Sequence, residues 1–278
     1  MKKMTLVLSV GLLVLSTGCS RLDIAFRWAD TYIASKVDDY FDLSSKQSKD
    51  LKKDIQKDLN GIKTAMLPNW IDRLQGIQKD VEAAQLNEEQ VAIYFTGFMN
   101  DVDQITSHFS TTAVDFIAST NPNQIEYFKK SFAKKNQEDL EKAQNVTKLR
   151  KEYRDKYEEW FEMFLGSLTK EQRQLMEDNL VASPFPAELK AKNKDYVFQK
   201  FFEHKGSIDE MKAFVREYYT NPEKYDMPEY RQAFAQYQKD LQKLVTQILT
   251  SMTDKQKAAL KDSINEKTAQ LRSIAMRS

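Results

Sequence analysis

Apolar residues recur along this chain at three- and four-residue steps and almost nowhere at alternate positions. Leu22, Phe26, Ala29, Ile33, Val37 and Tyr40 form one stripe, and Leu51, Ile55, Leu59, Ile62 and Met66 form the next. That period puts the apolar side chains on one face of an α-helix. "DDYFDL" (38–43) separates the two stripes. Pro68 is expected to end the second helix and open a third carrying Ile71, Leu74, Ile77, Val81 and Ala84, because a first-turn proline loses no helical hydrogen bond. The longest stripe, Val91, Phe95, Phe98, Val102, Ile105, Phe109, Ala113 and Phe116, predicts one helix over 88–118. Residues 122–166 read as helix with a break near Asn136, lined by Leu140, Ala143, Tyr153, Tyr157, Trp160 and Phe164.

"SPFP" (183–186) is the best internal boundary. It divides an N-terminal helical region, 19–182, from a C-terminal one, 183–278, expected to pack on the first as one domain. Further helices are separated near "HKGS" (204–207) and "NPEKYDMP" (221–228). The last two, 229–251 and 254–276, are expected to form an antiparallel hairpin, since short connections favour antiparallel neighbours. The expected fold class is all-α, a multi-helix antiparallel bundle of about 8–10 helices with no sheet. Composition agrees. Past residue 18 there are few glycines and prolines, and Lys, Glu, Gln, Asp, Ala and Leu abound.

One pattern returns: "LSSKQ" (43–47), "LNEEQ" (86–90), "LTKEQ" (168–172) and "MTDKQ" (252–256), with looser copies "NPNQ" (121–124) and "SIDE" (207–210). Ser, Thr or Asn followed three places on by Gln or Glu is a capping box, in which each side chain bonds the other's backbone N–H. Ser44, Asn87, Asn121, Thr169, Ser207 and Thr253 are therefore predicted helix N-caps.

The N-terminus changes the picture. Lys2 and Lys3 precede an apolar run, Leu6 to Leu15, and then Ser16, Thr17 and Gly18 lead to Cys19, the only cysteine. This is the layout of a secretory signal, residues 1–18, with a small-residue cleavage site. The run is too short to cross a bilayer comfortably, which takes about 20 residues. "LLVLSTGCS" (12–20) resembles the lipobox of bacterial lipoproteins. The resemblance implies diacylglycerol on the Cys19 thiol and an acyl chain on its amine after cleavage. Lipid chains contribute about 0.8 kcal/mol per buried methylene, so Cys19 is expected to anchor the chain to a bilayer. Ser20 follows, not aspartate. By the sorting rule of Gram-negative lipoproteins, that implies the periplasmic face of the outer membrane.

Two further resemblances carry family information. "CSRLDIAFRWADTYIASKVDDYFDLSSKQ" (19–47), "LPNWIDRL" (67–74) and "EEWFEMFLGSLTKEQ" (158–172) are similar to an uncharacterised family of proteobacterial helical lipoproteins. The likeness spans about residues 1–180. It implies a lipoprotein and a helical fold, and it supplies no mechanism. L-T-x-x-Q also resembles the repeated motif of Spy-type periplasmic chaperones, which leaves two uses for it, capping alone or a shared chaperone function.

Candidate chemistry is sparse. The expected export signal takes two of the 42 basic residues and none of the 41 acids. The remainder is close to neutral, which argues against a nucleic-acid partner. His108 and His204 lie far apart, no Glu-x-x-His or zinc spacing occurs, and neither a phosphate loop nor a nucleophile elbow is present. Asp38, Asp39 and Asp42 form the one compact carboxylate cluster, able to bind a cation or simply to end one helix and start the next. The aromatic-rich stretch 196–237 is core or a groove. The expectation is a non-enzymatic, membrane-anchored lipoprotein with no metal and no cofactor beyond its lipid chains. Its role would be binding or envelope-structural, with envelope proteins as partners. The alternative is a tethered chaperone for unfolded clients.

Overall fold

A computed structural model describes residues 20–276, with side chains from residue 24. Among the described residues every regular element is helical and none is a strand. The elements are α1 (Ser20–Phe41), α2 (Ser45–Glu82), α3 (Glu88–His108), α4 (Ser110–Ala118), α5 (Pro122–Gln144), α6 (Val146–Leu165), α7 (Lys170–Ala182), α8 (Ala187–Phe202) and α9 (Ile208–Thr220). A short 3-10 turn (Pro222–Tyr225) then leads to α10 (Pro228–Thr250) and α11 (Asp254–Ala275).

The apolar stripes meet in connected clusters. The largest joins Phe161 and Leu165 of α6, Met176 and Leu180 of α7, Leu244 and Ile248 of α10, and Leu260 and Ile264 of α11. Each such fully buried side chain contributes about 1.5–3 kcal/mol. An aromatic cluster links α1, α4, α5, α8 and α9. Phe128 stacks on Phe41 at 4.3 Å and meets Phe198 and Phe201 edge-on. The aromatics of 196–237 are thus mainly core, with Phe198, Phe201, Phe214 and Tyr237 buried. At one end Leu67 and Ile71 of α2 pack on Leu271 and Ile274 of α11, with Phe26 of α1 beside them.

Three boundaries and one packing arrangement differ from the sequence expectation. Pro68 lies inside α2, which runs unbroken from Ser45 to Glu82. An interior proline costs about 3 kcal/mol, and burial of Met66, Leu67 and Ile71 around it offsets that cost. The stripe over 88–118 is divided at Phe109, where Thr106 and Ser107 turn their hydroxyls onto the carbonyls of Val102 (3.0 Å) and Gln104 (2.8 Å). The break in 122–166 falls at Asn145, whose side chain caps α6 at Lys148 N (3.0 Å). Asn136 instead sits buried within α5 and donates to the Ala191 carbonyl of α8 at 3.1 Å. Finally, α10 and α11 are not a closely packed pair. α11 runs along α2, where Lys261 pairs with Glu82 at 2.8 Å, and along α6, where Ser263 donates to Met163 O at 3.1 Å. Apolar burial on two other helices outweighs the proximity given by a short turn.

The "SPFP" connection does separate α7 from α8, and it is also part of the core. Phe185 is buried between Tyr153 (5.3 Å) and Tyr237 (5.1 Å). Phe185→Ala is expected to cost about 3 kcal/mol, read as a urea midpoint shift, and to open residues 183–186 to limited proteolysis.

Candidate functional site

The predicted caps stand at helix starts. Ser44, Asn87, Asn121, Thr169, Ser207 and Thr253 each accept from the backbone N–H three residues on. At Ser44, Asn121, Thr169 and Thr253 the glutamine returns the bond to the cap's own N–H, completing the box.

Those four boxes are joined two by two. Gln47 Nε2 donates to Gln124 Oε1 at 3.0 Å, and Gln124 Nε2 donates back to Gln47 Oε1 at 2.9 Å. The same reciprocal bonds join Gln172 and Gln256, at 3.2 and 2.7 Å. Each amide also donates to a carbonyl in the opposite connection. Gln47 reaches Ser119 O (3.0 Å), Gln124 reaches Asp42 O (3.2 Å), Gln172 reaches Ser251 O (3.4 Å) and Gln256 reaches Ser167 O (2.7 Å). Every one of these carbonyls lies five residues before the partner glutamine, so each knot is pseudo-twofold and the two knots repeat one design. The first clamps the α1–α2 connection to the α4–α5 connection, and the second clamps α6–α7 to α10–α11.

Local backbone makes the knots possible. The four connections are only three or four residues long, which brings each glutamine close to the end of the preceding helix. The first helix of each knot ends in left-handed backbone, at Asp42 (φ +50) and at Gly166 (φ +77). "LNEEQ" and "SIDE" sit in five-residue connections and remain simple caps. The pairing was not foreseen from the sequence. Its signal was there as four boxes with glutamine at the third position behind short turns, but nothing local names the partner.

The carboxylate cluster is divided among structural tasks. Asp38 Oδ1 accepts from Leu43 N at 2.7 Å and closes the end of α1. Asp39 pairs with Lys36 (3.1 Å) and Lys135 (3.5 Å). Partial burial raises its pKa, but the two ammonium groups outweigh that and hold the carboxyl below its ordinary value. Asp42 offers its carbonyl to the first knot. An open groove of about 970 Å³ runs beside this knot, lined by Asp50, Asp54, Asp115, Lys46 and Tyr127 among others. No group of three or more His, Cys, Asp or Glu among the described residues is arranged to hold a metal.

The histidines remain apart. His108 faces α2 beside Gly61, where an added Cβ would stand 3.7 Å from Nδ1. His204 Nδ1 lies 3.3 Å from Glu210 on the surface. Tyr157 and Tyr237 share a 2.6 Å hydrogen bond, and burial raises the pKa of both, keeping them protonated. Cys19 lies outside the described residues. No helix among the described residues is long and apolar enough to cross a membrane.

A family of unknown function, DUF6279, matches residues 39–231, and the chain belongs to that family. The match crosses the "SPFP" connection and includes the first knot and half of the second. No curated protein and no solved structure matches the chain, so the likeness to Spy-type chaperones has no support from relatives.

The knots make a testable claim on stability. Gln172 is 1% exposed, and Gln172→Ala strands the Gln256 amide and the Thr169 backbone N–H, with an expected cost of about 3 kcal/mol. Gln90→Ala, at a simple cap whose bond uses the Gln90 backbone N–H, should cost well under about 1 kcal/mol. In urea melts of the Gln172/Gln256 double-mutant cycle the two losses should be non-additive by at least about 1 kcal/mol. Additive losses would deny the pairing.

Proposed function

We propose that this DUF6279 protein is a lipoprotein anchored through Cys19 to the periplasmic face of the outer membrane, with a non-enzymatic binding or envelope-structural role. The supporting observation is the position of α1. It begins at Ser20, directly after Cys19, and continues into the core through Ala34 and Phe41. No linker separates the expected lipid attachment from the packed helices, so an anchored chain holds its whole body against the bilayer. Two or three acyl chains, at about 0.8 kcal/mol per buried methylene, suffice to make that attachment stable.

The recurring polar motif supports a scaffold role. The four paired glutamines spend their amides on each other and on backbone carbonyls, and the aromatic-rich stretch is spent mainly on the core. A client-binding chaperone needs such groups turned outward. Purified protein at stoichiometric excess is therefore expected not to suppress aggregation of an unfolded client.

Intact mass and membrane fractionation of the native protein beside Cys19→Ala test the anchor. The expected result is a triacyl-sized mass increment and outer-membrane fractionation, both lost in the variant. An unmodified soluble protein with a free thiol would overturn the reading.

A further inference from the structure

We propose that the outer face of α1 nearest Cys19 lies along the bilayer interface, with the headgroup and upper acyl region of the lipid as its partner. This rests on the Cys19 anchor and adds a second, non-covalent contact to it. Ile24 is 49% exposed and Trp28 62%, and Tyr32 is exposed beside them. These residues are four apart, so at 100° per residue they stand on one stripe over about two turns. The opposite side of the same helix carries Phe26, Ile33, Ala34 and Val37 into the core. A water-facing stripe of Ile, Trp and Tyr is what a soluble helix avoids and an interfacial helix requires.

Position singles out lipid as the occupant. A rise of about 1.5 Å per residue puts Ile24 about 6 Å and Trp28 about 12 Å along α1 from Ser20, the residue that follows Cys19 in sequence. A side chain that close to an acylated residue cannot be far from the membrane surface. Trp and Tyr rings prefer this interfacial depth because each has an apolar body and a polar tip.

The other terminus arrives at the same end of the molecule. Ile274 of α11 shares a cluster with Phe26 of α1. Two residues later Met276 is 83% exposed, and Arg272 is exposed one turn before it. Two helices that are distant in sequence therefore present exposed apolar and basic side chains beside the attachment point. A helix standing upright on its anchor would place only its first turn near lipid. The length of the stripe points instead to α1 lying along the surface.

The test uses the full-length lipidated protein in phosphatidylethanolamine–phosphatidylglycerol vesicles, with and without lipid brominated high on the acyl chain. The chain has three tryptophans, and bromolipid should quench the native protein clearly more than Trp28→Phe, in which Trp70, part-buried beside Phe26, stands at the same end, given the interfacial depth of the Trp28 ring. Trp28 is exposed, and unchanged circular dichroism verifies that the variant folds. Flotation with the vesicles but equal quenching of the two proteins would overturn the surface and leave the anchor standing. Shielding of Trp28 from acrylamide without bromolipid quenching would also overturn it, in favour of a second copy or a protein partner. Failure to float, with no lipid mass on Cys19, would remove the anchor and this inference together.

Discussion

A buried glutamine amide brings two donors and a carbonyl with two lone pairs, and each left unmatched costs about 1–3 kcal/mol. The arrangement of this protein's helices follows from the way that constraint is met. Gln172 and Gln256 satisfy each other, their own helix starts and a carbonyl of the opposite connection at once. Gln47 and Gln124 do the same at the other site. A network of this kind tolerates little displacement, because moving either connection breaks several bonds together. Apolar clusters supply most of the burial, but they would accept many rotations of one helix on another. The amide pairs select one.

That division of labour explains what was legible in the sequence. The helices were visible because apolar periodicity is a local property, and the caps were visible because a capping box needs only four consecutive residues. Pro68 misled because its cost is local whereas the burial of Met66, Leu67 and Ile71 that offsets it comes partly from α11, two hundred residues away in the chain. Asn136 and Asn145 look alike as sequence. One spends its amide on Ala191 in a distant helix and the other on the next helix start, and only the fold distinguishes them. The glutamine pairs were hidden for the same reason. Each half of a knot is an ordinary cap until its partner, 77 or 84 residues on, is in place.

The candidate site was legible only in part. Asp38, Asp39 and Asp42 all act at the end of α1. The Asp38 carboxylate, however, goes to a backbone N–H and that of Asp39 to two lysines, not to one shared ligand. The left-handed backbone at Asp42 turns its carbonyl toward Gln124, so the residue that looked like a ligand works through its main chain.

The first knot and the proposed membrane face occupy opposite ends of one helix. α1 starts beside Cys19 and ends at Asp42, where Gln124 holds its last turn. Along the way Phe41 is packed among Phe116 and Phe128. A helix fixed at its far end by reciprocal amide bonds and aromatic contacts could not pivot freely on a lipid attached at its start. The proposed anchor would then set orientation as well as attachment. With α1 held along the bilayer, α2 and the end of α11 are carried close to it through Leu67, Ile71 and Ile274, which pack beside Phe26. α5, joined to α1 through the first knot, the aromatic core and the Asp39–Lys135 pair, and α8, joined through the aromatic core, are set by the same rigid connection. A stiff body with a defined membrane face suits a protein whose polar motifs are committed to its own architecture, because the surface it offers to partners is then fixed by the bilayer and not by a flexible tether.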